Sequence, residues 1–345
     1  TVAGGVFRPG DDVFGMSYNP AILSRLRDSQ VGTQYISSLG GSRLGYVAMA
    51  SPLSPSQSLG LSLAYMSAGA DSVYDANGAD LGRRDFGQDM LGELAYAHSW
   101  PMGRSRLHLG LGGKLYRSVI LNEMQATTYA ADAGALFETR LRGGVATFGG
   151  GVANLGPGVR YSGGASGGAT TDPLPTTARM SAAYASPILQ YDSLSAALQL
   201  DRIFYDNIFY EGVGLEYDYH RICAFRLGYR QGPDGGQLTL GAGVNVRGLS
   251  FDYGIGLMQV LGNVQNFSLT YRFSIPGIRY GKSIVDAAAP TETLATDIRG
   301  LIKGGRLFDA AAAIARMEAA FPDRTEAREL KEEVRRELAR FASEG

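Results

Sequence analysis

A chain of 345 residues exceeds the usual size of one domain, although large barrels run past that limit. A net charge of −1 with 19% charged residues offers no basic field for nucleic acid or for an acidic membrane surface. The single cysteine, Cys223, excludes an internal disulfide and argues against a thiolate metal site, and no run approaches the roughly 18 apolar residues of a transmembrane helix.

Residues 1–27 do not alternate, and Thr1 suits a mature terminus left by signal-peptide cleavage. Asp11 and Asp12 precede Val13 and Phe14. Asn19-Pro20 then opens a short helical stretch, Ala21 to Leu26, with asparagine as N-cap and proline at the first helical position. On these residues alone the stretch is either a capped surface helix or part of a plug.

From Gln30 the chain settles into segments of period two. They are Gln30–Ile36, Ser42–Leu53, Ser58–Ser67, Asp89–Trp100, Arg106–Ser118, Thr128–Leu141, Val145–Leu155, Thr177–Ser186, Ser193–Tyr205, Ile208–Tyr219, Ile222–Gln231, Gln237–Arg247, Leu249–Met258 and Val264–Ser274. Most approach the roughly 9–11 residues with which a tilted strand crosses a bilayer. The 48 glycines sit inside these segments and in turns, which sets aside a low-complexity chain. The expectation is an all-β membrane protein, an antiparallel outer-membrane β-barrel of about 14 strands. A mean hydropathy of −0.06 does not oppose it, because only alternate residues of such a barrel meet lipid.

The connections point the same way. Long and short should alternate, and the long candidates Gly69–Gln88, Val119–Thr127, Gly156–Thr176 and Gln259–Asn263 all follow odd-numbered segments. Alternation sends Leu107, Leu109, Leu111 and Leu115 to lipid and His108, Lys114 and Tyr116 inward. Asp132, Arg226, Asp252 and Arg272 also fall on the inward phase. Glu211 and Arg202 fall on the apolar phase and are expected near the outer rim; Trp100, Tyr96 and Tyr217 suit an aromatic girdle. A soluble sandwich has no reason to keep the loop parity, and no blade repeat of about 40 residues suggests a propeller.

In the last segment Phe267, Leu269, Tyr271 and Phe273 form one face, opposite Asn266, Ser268, Thr270, Arg272 and Ser274. Those apolar positions resemble the signal that outer-membrane assembly machinery reads on a closing strand. That signal usually stands at the extreme C-terminus, whereas Ile275–Gly345 follow here.

No catalytic constellation emerges, and neither a cofactor nor a metal is expected. His98, His108 and His220 are scattered, and the lumen carboxylates Asp132, Glu138 and Asp252 read as salt-bridge partners of Arg226, Arg247 and Arg272. The glycines Gly149–Gly151 and Gly163-Gly164 open no helix that could cradle phosphate.

Gly10-Asp11-Asp12 followed by Tyr18-Asn19-Pro20-Ala21 and Leu23 resembles the N-terminal signature of PorV/PorQ-type outer-membrane proteins, relatives of the FadL-type transporters. Tyrosine stands where that pattern has tryptophan, and Ile22 where it has glycine. The resemblance implies that residues 1–27, with Asp11, Asp12, Tyr18, Asn19 and Pro20, form a hatch inside a barrel over 28–275. A linker, 276–290, leads to a helical tail, 291–345, in which the stretch Gly305 to Pro322 is similar to half of a tetratricopeptide repeat. In its last helix Ala327, Leu330, Val334, Leu338 and Phe341 form an apolar stripe suited to docking a second protein.

The expected function is therefore non-enzymatic: an outer-membrane adaptor or shuttle of a secretion or envelope machine, similar to PorV. The alternative is a FadL-like transporter of hydrophobic small molecules. The expected partners are outer-membrane lipid and proteins at the tail and external loops, with no nucleic acid. An even strand number puts both termini on one side, the periplasmic one.

Overall fold

The computed structural model describes residues 12–37, 41–75, 77–121, 123–163, 171–188, 192–220, 222–233, 235–258, 262–275, 291–303, 307, 309–311, 313–314 and 329–336. The chain divides into two compact units, Thr1–Ile284 and Val285–Gly345.

The first unit is a closed antiparallel barrel of 14 strands. In chain order they are β1 Ser29–Ser37, β2 Arg43–Ser54, β3 Gln57–Ser67, β4 Gly87–Met102, β5 Ser105–Ile120, β6 Met124–Leu141, β7 Gly144–Leu155, β8 Thr177–Pro187, β9 Ser193–Ile203, β10 Ile208–Tyr219, β11 Cys223–Gly232, β12 Gly235–Val246, β13 Leu249–Met258 and β14 Gly262–Phe273. Each pairs with its chain neighbours, and β1 closes the ring on β14 from Ser29↔Phe273 to Ser37↔Gln265. The ring therefore begins and finishes at the same end, called here the terminal end.

Register follows from the alternation, since a slip of one residue would turn every leucine of a strand inward. Leu111 is 66% exposed while its neighbour on the next inward position, Gly112, is buried, and Lys114 is 8% exposed. The same contrast holds for Leu238 and Leu240 against Gln237 and Thr239. Arg202 and Glu211 do face outward, beside the far-end turn at 204–207; Arg202 lies 5.2 Å from the rings of Phe204 and Phe209 and donates to Asn207.

All fourteen expected segments are strands, but several of them run further than expected and shorten two of the expected long loops. Ladder pairs continue through Val119↔Gln125 and Ile120↔Met124, leaving only 121–123 between β5 and β6, and 259–261 between β13 and β14. Backbone groups there find partners by prolonging the hairpin, which is cheaper than an unpaired loop. The long connections are 68–86, which carries its own hairpin Ala70–Tyr74 with Asp80–Asp85, and 156–176. Within the latter, Ser162–Gly163 pairs with Gln125 and Met124 of β6, covering an edge that 18-residue β6 leaves beyond 12-residue β7. At the terminal end the connection 188–192 is held by Asp192, which accepts from the Tyr217 hydroxyl at 2.7 Å and the His220 amide at 3.0 Å. The Tyr217 bond, with His220 beside it, keeps that carboxyl below the usual aspartate range.

In the second unit Thr291–Lys303 forms a helix, α1. Ala295, Ile298 and Ile302 pack with Leu307, Ala310, Ile314, Leu330 and Val334 into one core. Leu330 and Val334 thus turn into the unit's own interior, so that part of the expected docking stripe is already occupied. Leu338, Phe341 and the linker 276–290 lie outside the described residues.

The belt predicts a sharp asymmetry between neighbouring positions. Leu111→Arg should destabilise the barrel by about 2–4 kcal/mol in urea titrations of refolding into vesicles. The inward Ser118→Arg should cost much less than Leu111→Arg; equal costs would contradict the facing.

Candidate functional site: a hatch seated in the barrel

Two short 3₁₀ helices, Val13–Ser17 and Pro20–Arg25, fill one side of the lumen. The second is the expected short helical stretch, and at six residues it takes the tighter form. Asp12 caps the first by accepting from the Phe14 amide at 2.7 Å, and Asn19 caps the second by accepting from the Ala21 amide at 3.0 Å, with Pro20 supplying the fixed first position. Val13, Phe14, Met16, Pro20, Ala21, Ile22 and Leu23 are buried, so the segment is a plug rather than a surface helix. Asp11 lies outside the described residues.

The wall is shaped to receive it. Val13, Phe14, Met16, Leu23 and Leu26 pack on Tyr46, Ala48, Ala50, Ala95 and Ala97, small inward residues of β2 and β4. Gly110 lets the hatch backbone touch β5, since a Cβ there would stand 2.3 Å from the Ala21 nitrogen. Gly134 does the same on β6, where a Cβ would meet Asn19 Oδ1 at 1.9 Å. The Asn19 amide donates to the carbonyls of Ala135 (3.3 Å) and Gly150 (3.2 Å), two residues that face each other across the β6–β7 ladder. One side chain thus caps its helix and grips a seam of the wall. Three residues away, between Ala131 and Ala133, the same ladder shifts register.

Charge holds the rest. Arg25 Nε meets Glu138 Oε1 at 2.9 Å, His108 Nε2 lies 3.2 Å from Glu138 Oε2, and Ser24 Oγ lies 2.6 Å from His108 Nδ1. This chain of serine, histidine and carboxylate is a latch: Ser24 is buried and also donates to the Ala21 carbonyl at 2.9 Å. Gln30 accepts from the Val13 amide at 3.0 Å, Ser17 Oγ lies 2.6 Å from the Tyr46 hydroxyl and donates to Glu93 at 3.3 Å, and Arg179 donates to the Tyr18 carbonyl at 3.1 Å. Removing Arg25 while the hatch stays seated would strip a buried carboxylate of its cation, a change that costs about 3–5 kcal/mol in proteins generally.

The other lumen residues form separate ion pairs. Lys114 Nζ meets Asp132 at 2.6 Å and donates to Asn154 at 3.0 Å. Arg226 bridges Glu216 and Asp252, both at 2.6 Å, and Arg272 donates to Ser250. The expected carboxylates are paired, though Lys114 and Arg25 serve two of them where Arg247 and Arg272 were expected; Arg247 sits in the turn between β12 and β13. Phe267, Leu269 and Tyr271 face outward on the closing strand, and Phe273 stacks on Tyr271 at 5.8 Å. Sequence reasoning missed Arg25, Ser24, Glu93, Gly110, Gly134 and Arg179. Among the described residues, no three His, Cys, Asp or Glu side chains gather at metal-ligand spacing.

Two recesses border the hatch. One is lined by Ser24, Arg25, Pro55, Arg106, His108 and Glu138, the other by Tyr18, Asn19, Gly149, Gly150, Met180 and Gln199. Each has a volume of about 10 Å³, room for one water and for no organic ligand.

Neither a protein-family model nor a curated protein matches the sequence. Among solved structures, the toluene transporter TbuX of Ralstonia pickettii aligns with a TM-score of 0.50 at 12% identity, over 79% of this chain and 96% of that one. The toluene transporter TodX of Pseudomonas putida aligns with a TM-score of 0.52 at 10% identity, over 76% and 93%. The monoaromatic hydrocarbon channel CymD gives 0.50 at 11%, over 79% and 95%. The fold is that of the FadL-like outer-membrane barrels. At such identities the likeness is one of architecture.

The seat makes a direct prediction. Gly110→Val should drive the hatch from the wall and raise single-channel conductance in planar bilayers severalfold, as deletion of residues 1–27 should. Gly113→Val, where a Cβ meets nothing within 4 Å, should leave conductance unchanged. Unchanged conductance in the deletion would contradict the plug.

Proposed function

We propose that this chain is an outer-membrane conduit for hydrophobic small molecules, held shut by its N-terminal hatch. The observation that carries this reading is the hatch itself, latched to one arc of the wall by Asn19, Arg25 and Ser24, with the recesses beside it too small for a ligand. A plug that only filled the barrel would need no grip on ladder carbonyls. The toluene transporters and the hydrocarbon channel of the same fold support the ligand class.

The inward positions of the strands are largely polar, and the apolar side chains Phe14, Met16, Ile22 and Leu23 of the hatch are buried against the wall, so an apolar lining becomes available to cargo only when the hatch leaves its seat. The second recess is bordered by Tyr18 and Asn19 of the hatch and by Gly150 and Met180, which pair across an unbroken ladder, with Met180 68% exposed. A cargo released there, beside Gly149 and Gly150, would pass sideways into lipid only by parting that ladder.

The adaptor reading would rest on the helical unit, in which Leu330 and Val334 of the expected docking stripe pack into the unit's own core, and this weakens that reading. We place the terminal end, where the first strand begins and the last one finishes, in the periplasm.

Proteoliposomes holding the full chain should take up toluene or a long-chain hydrophobic probe faster than sucrose. Truncation after Ile275 should leave that rate intact, and an impermeant thiol reagent on intact cells should label D75C and spare G103C. Uptake no faster than in empty liposomes would remove the conduit reading; loss of uptake on truncation would assign the tail a part in it; the reverse labelling would invert the topology.

A further inference from the structure

The terminal end of the barrel carries a charge pattern that the hatch does not use. Arg104 stands in the turn between β4 and β5, Arg142 in the turn between β6 and β7, and Arg140 near the end of β6. All three are exposed, and the turns are neighbours: the Arg140 amide reaches the Arg104 carbonyl at 3.4 Å. At this end of β4 to β7 the sequence holds one carboxylate, Glu138, which is buried and engaged by Arg25 and His108. The turn between β2 and β3, Pro55-Ser56, carries no charge, and that between β12 and β13 carries Arg247 alone.

The outer surface below these arginines is apolar and aromatic. The outward row of β4 runs through Tyr96, His98, Trp100 and Met102, with the His98 and Trp100 rings 4.1 Å apart, and Leu141 of β6 is exposed beside it. Interfacial indoles sit at headgroup level. A guanidinium two residues beyond Met102 therefore stands where lipid phosphates lie, and its planar fork suits a phosphate better than an ammonium does. The turn that presents Arg142 is also fixed in advance. Arg142 and Gly143 take φ of 47° and 83°, and the Tyr184 hydroxyl donates to the carbonyls of Leu141 at 3.0 Å and Arg142 at 3.3 Å.

We propose that this corner is a binding site for an anionic glycerophospholipid. Its phosphate sits between Arg104 and Arg142, with the exposed Arg140 reaching over the rim from the inward row of β6, and its acyl chains run along Trp100, Met102 and Leu141. Charge complementarity and continuity with the lipid-facing belt select this occupant over an acidic protein segment. The site is independent of what crosses the lumen.

The test uses the full chain in detergent, titrated with phosphatidylglycerol, cardiolipin or phosphatidylcholine and followed by native mass spectrometry. Wild-type protein should retain the anionic lipids about ten- to a hundredfold more strongly than phosphatidylcholine, given roughly the contribution expected of each juxtamembrane arginine. The R104Q/R140Q/R142Q variant should lose most of that preference, and R142Q alone a part of it. Heat-modified migration on gels reports whether each variant barrel is intact. Equal retention of all three lipids by the wild type, or an unchanged preference in an intact triple variant, would overturn the proposal. Displacement of the lipid by millimolar inorganic phosphate would assign a free-anion site instead, and arginine-dependent binding of polyglutamate without lipid selectivity would assign a protein partner; either result counts against it.

Discussion

Everything in the barrel depends on the absence of water around its outer face. A strand edge open to hydrocarbon would leave a row of peptide groups unpaired, each at a cost of several kcal/mol, so the sheet has to close. The β1–β14 ladder, nine residue pairs from Ser29↔Phe273 to Ser37↔Gln265, completes that closure. Once the ring is closed, the alternation of each strand divides the residues between two solvents. Leucine, valine and aromatic side chains take the lipid side, and the remaining half must be satisfied within a narrow lumen.

The two arcs of the lumen meet that demand differently. From β9 to β14 charged groups of the inner wall pair among themselves, with Arg226 shared between Glu216 and Asp252 and with Gln199 donating to Asp201. From β1 to β7 alanine and glycine are interleaved with buried polar groups such as Glu93, His108 and Glu138, and the hatch packs on both kinds. Glu138 is the clearest case: a wall carboxylate whose cation, Arg25, belongs to the hatch. The hatch is thus part of the wall's own electrostatics on one arc and is little engaged with the other. Releasing it would expose the packed Val13, Phe14, Met16, Ile22 and Leu23 as well as the Arg25–Glu138 pair, while leaving the ladder of the barrel intact.

Much of this was legible in the residues. Period two in Leu107 to Leu115 or Phe267 to Phe273 is a local property, and it located all fourteen strands because the bilayer enforces it residue by residue. The Asn19-Pro20 cap was equally local. Loop length was less so: Val119–Thr127 holds turn-forming and polar residues, yet hairpin pairing continues through it, since a ladder can be prolonged by almost any side chain. What the sequence could not display was the meaning of inward glycines. Gly110 and Gly134 look like ordinary weak points in a strand until the hatch backbone and Asn19 are set against them, and that contact joins segments more than 80 residues apart. The apolar packing between hatch and wall escaped notice for the same reason, being contributed by a segment with no strand periodicity. The tail stripe misled in the other direction: an apolar face at helical spacing does not say whether its partner is another chain or the helices beside it.

The account stands or falls on whether the hatch must leave its seat for cargo to pass. Ile22 and Leu136 are packed together where the hatch meets β6. In a C223S background, I22C and L136C joined by a short reducible thiol crosslinker would pin the hatch without emptying the lumen. Hydrophobic uptake into proteoliposomes, measured before and after reduction, should fall to the level of empty liposomes when pinned and return on reduction. Uptake by the pinned protein at the full rate would contradict a gating hatch.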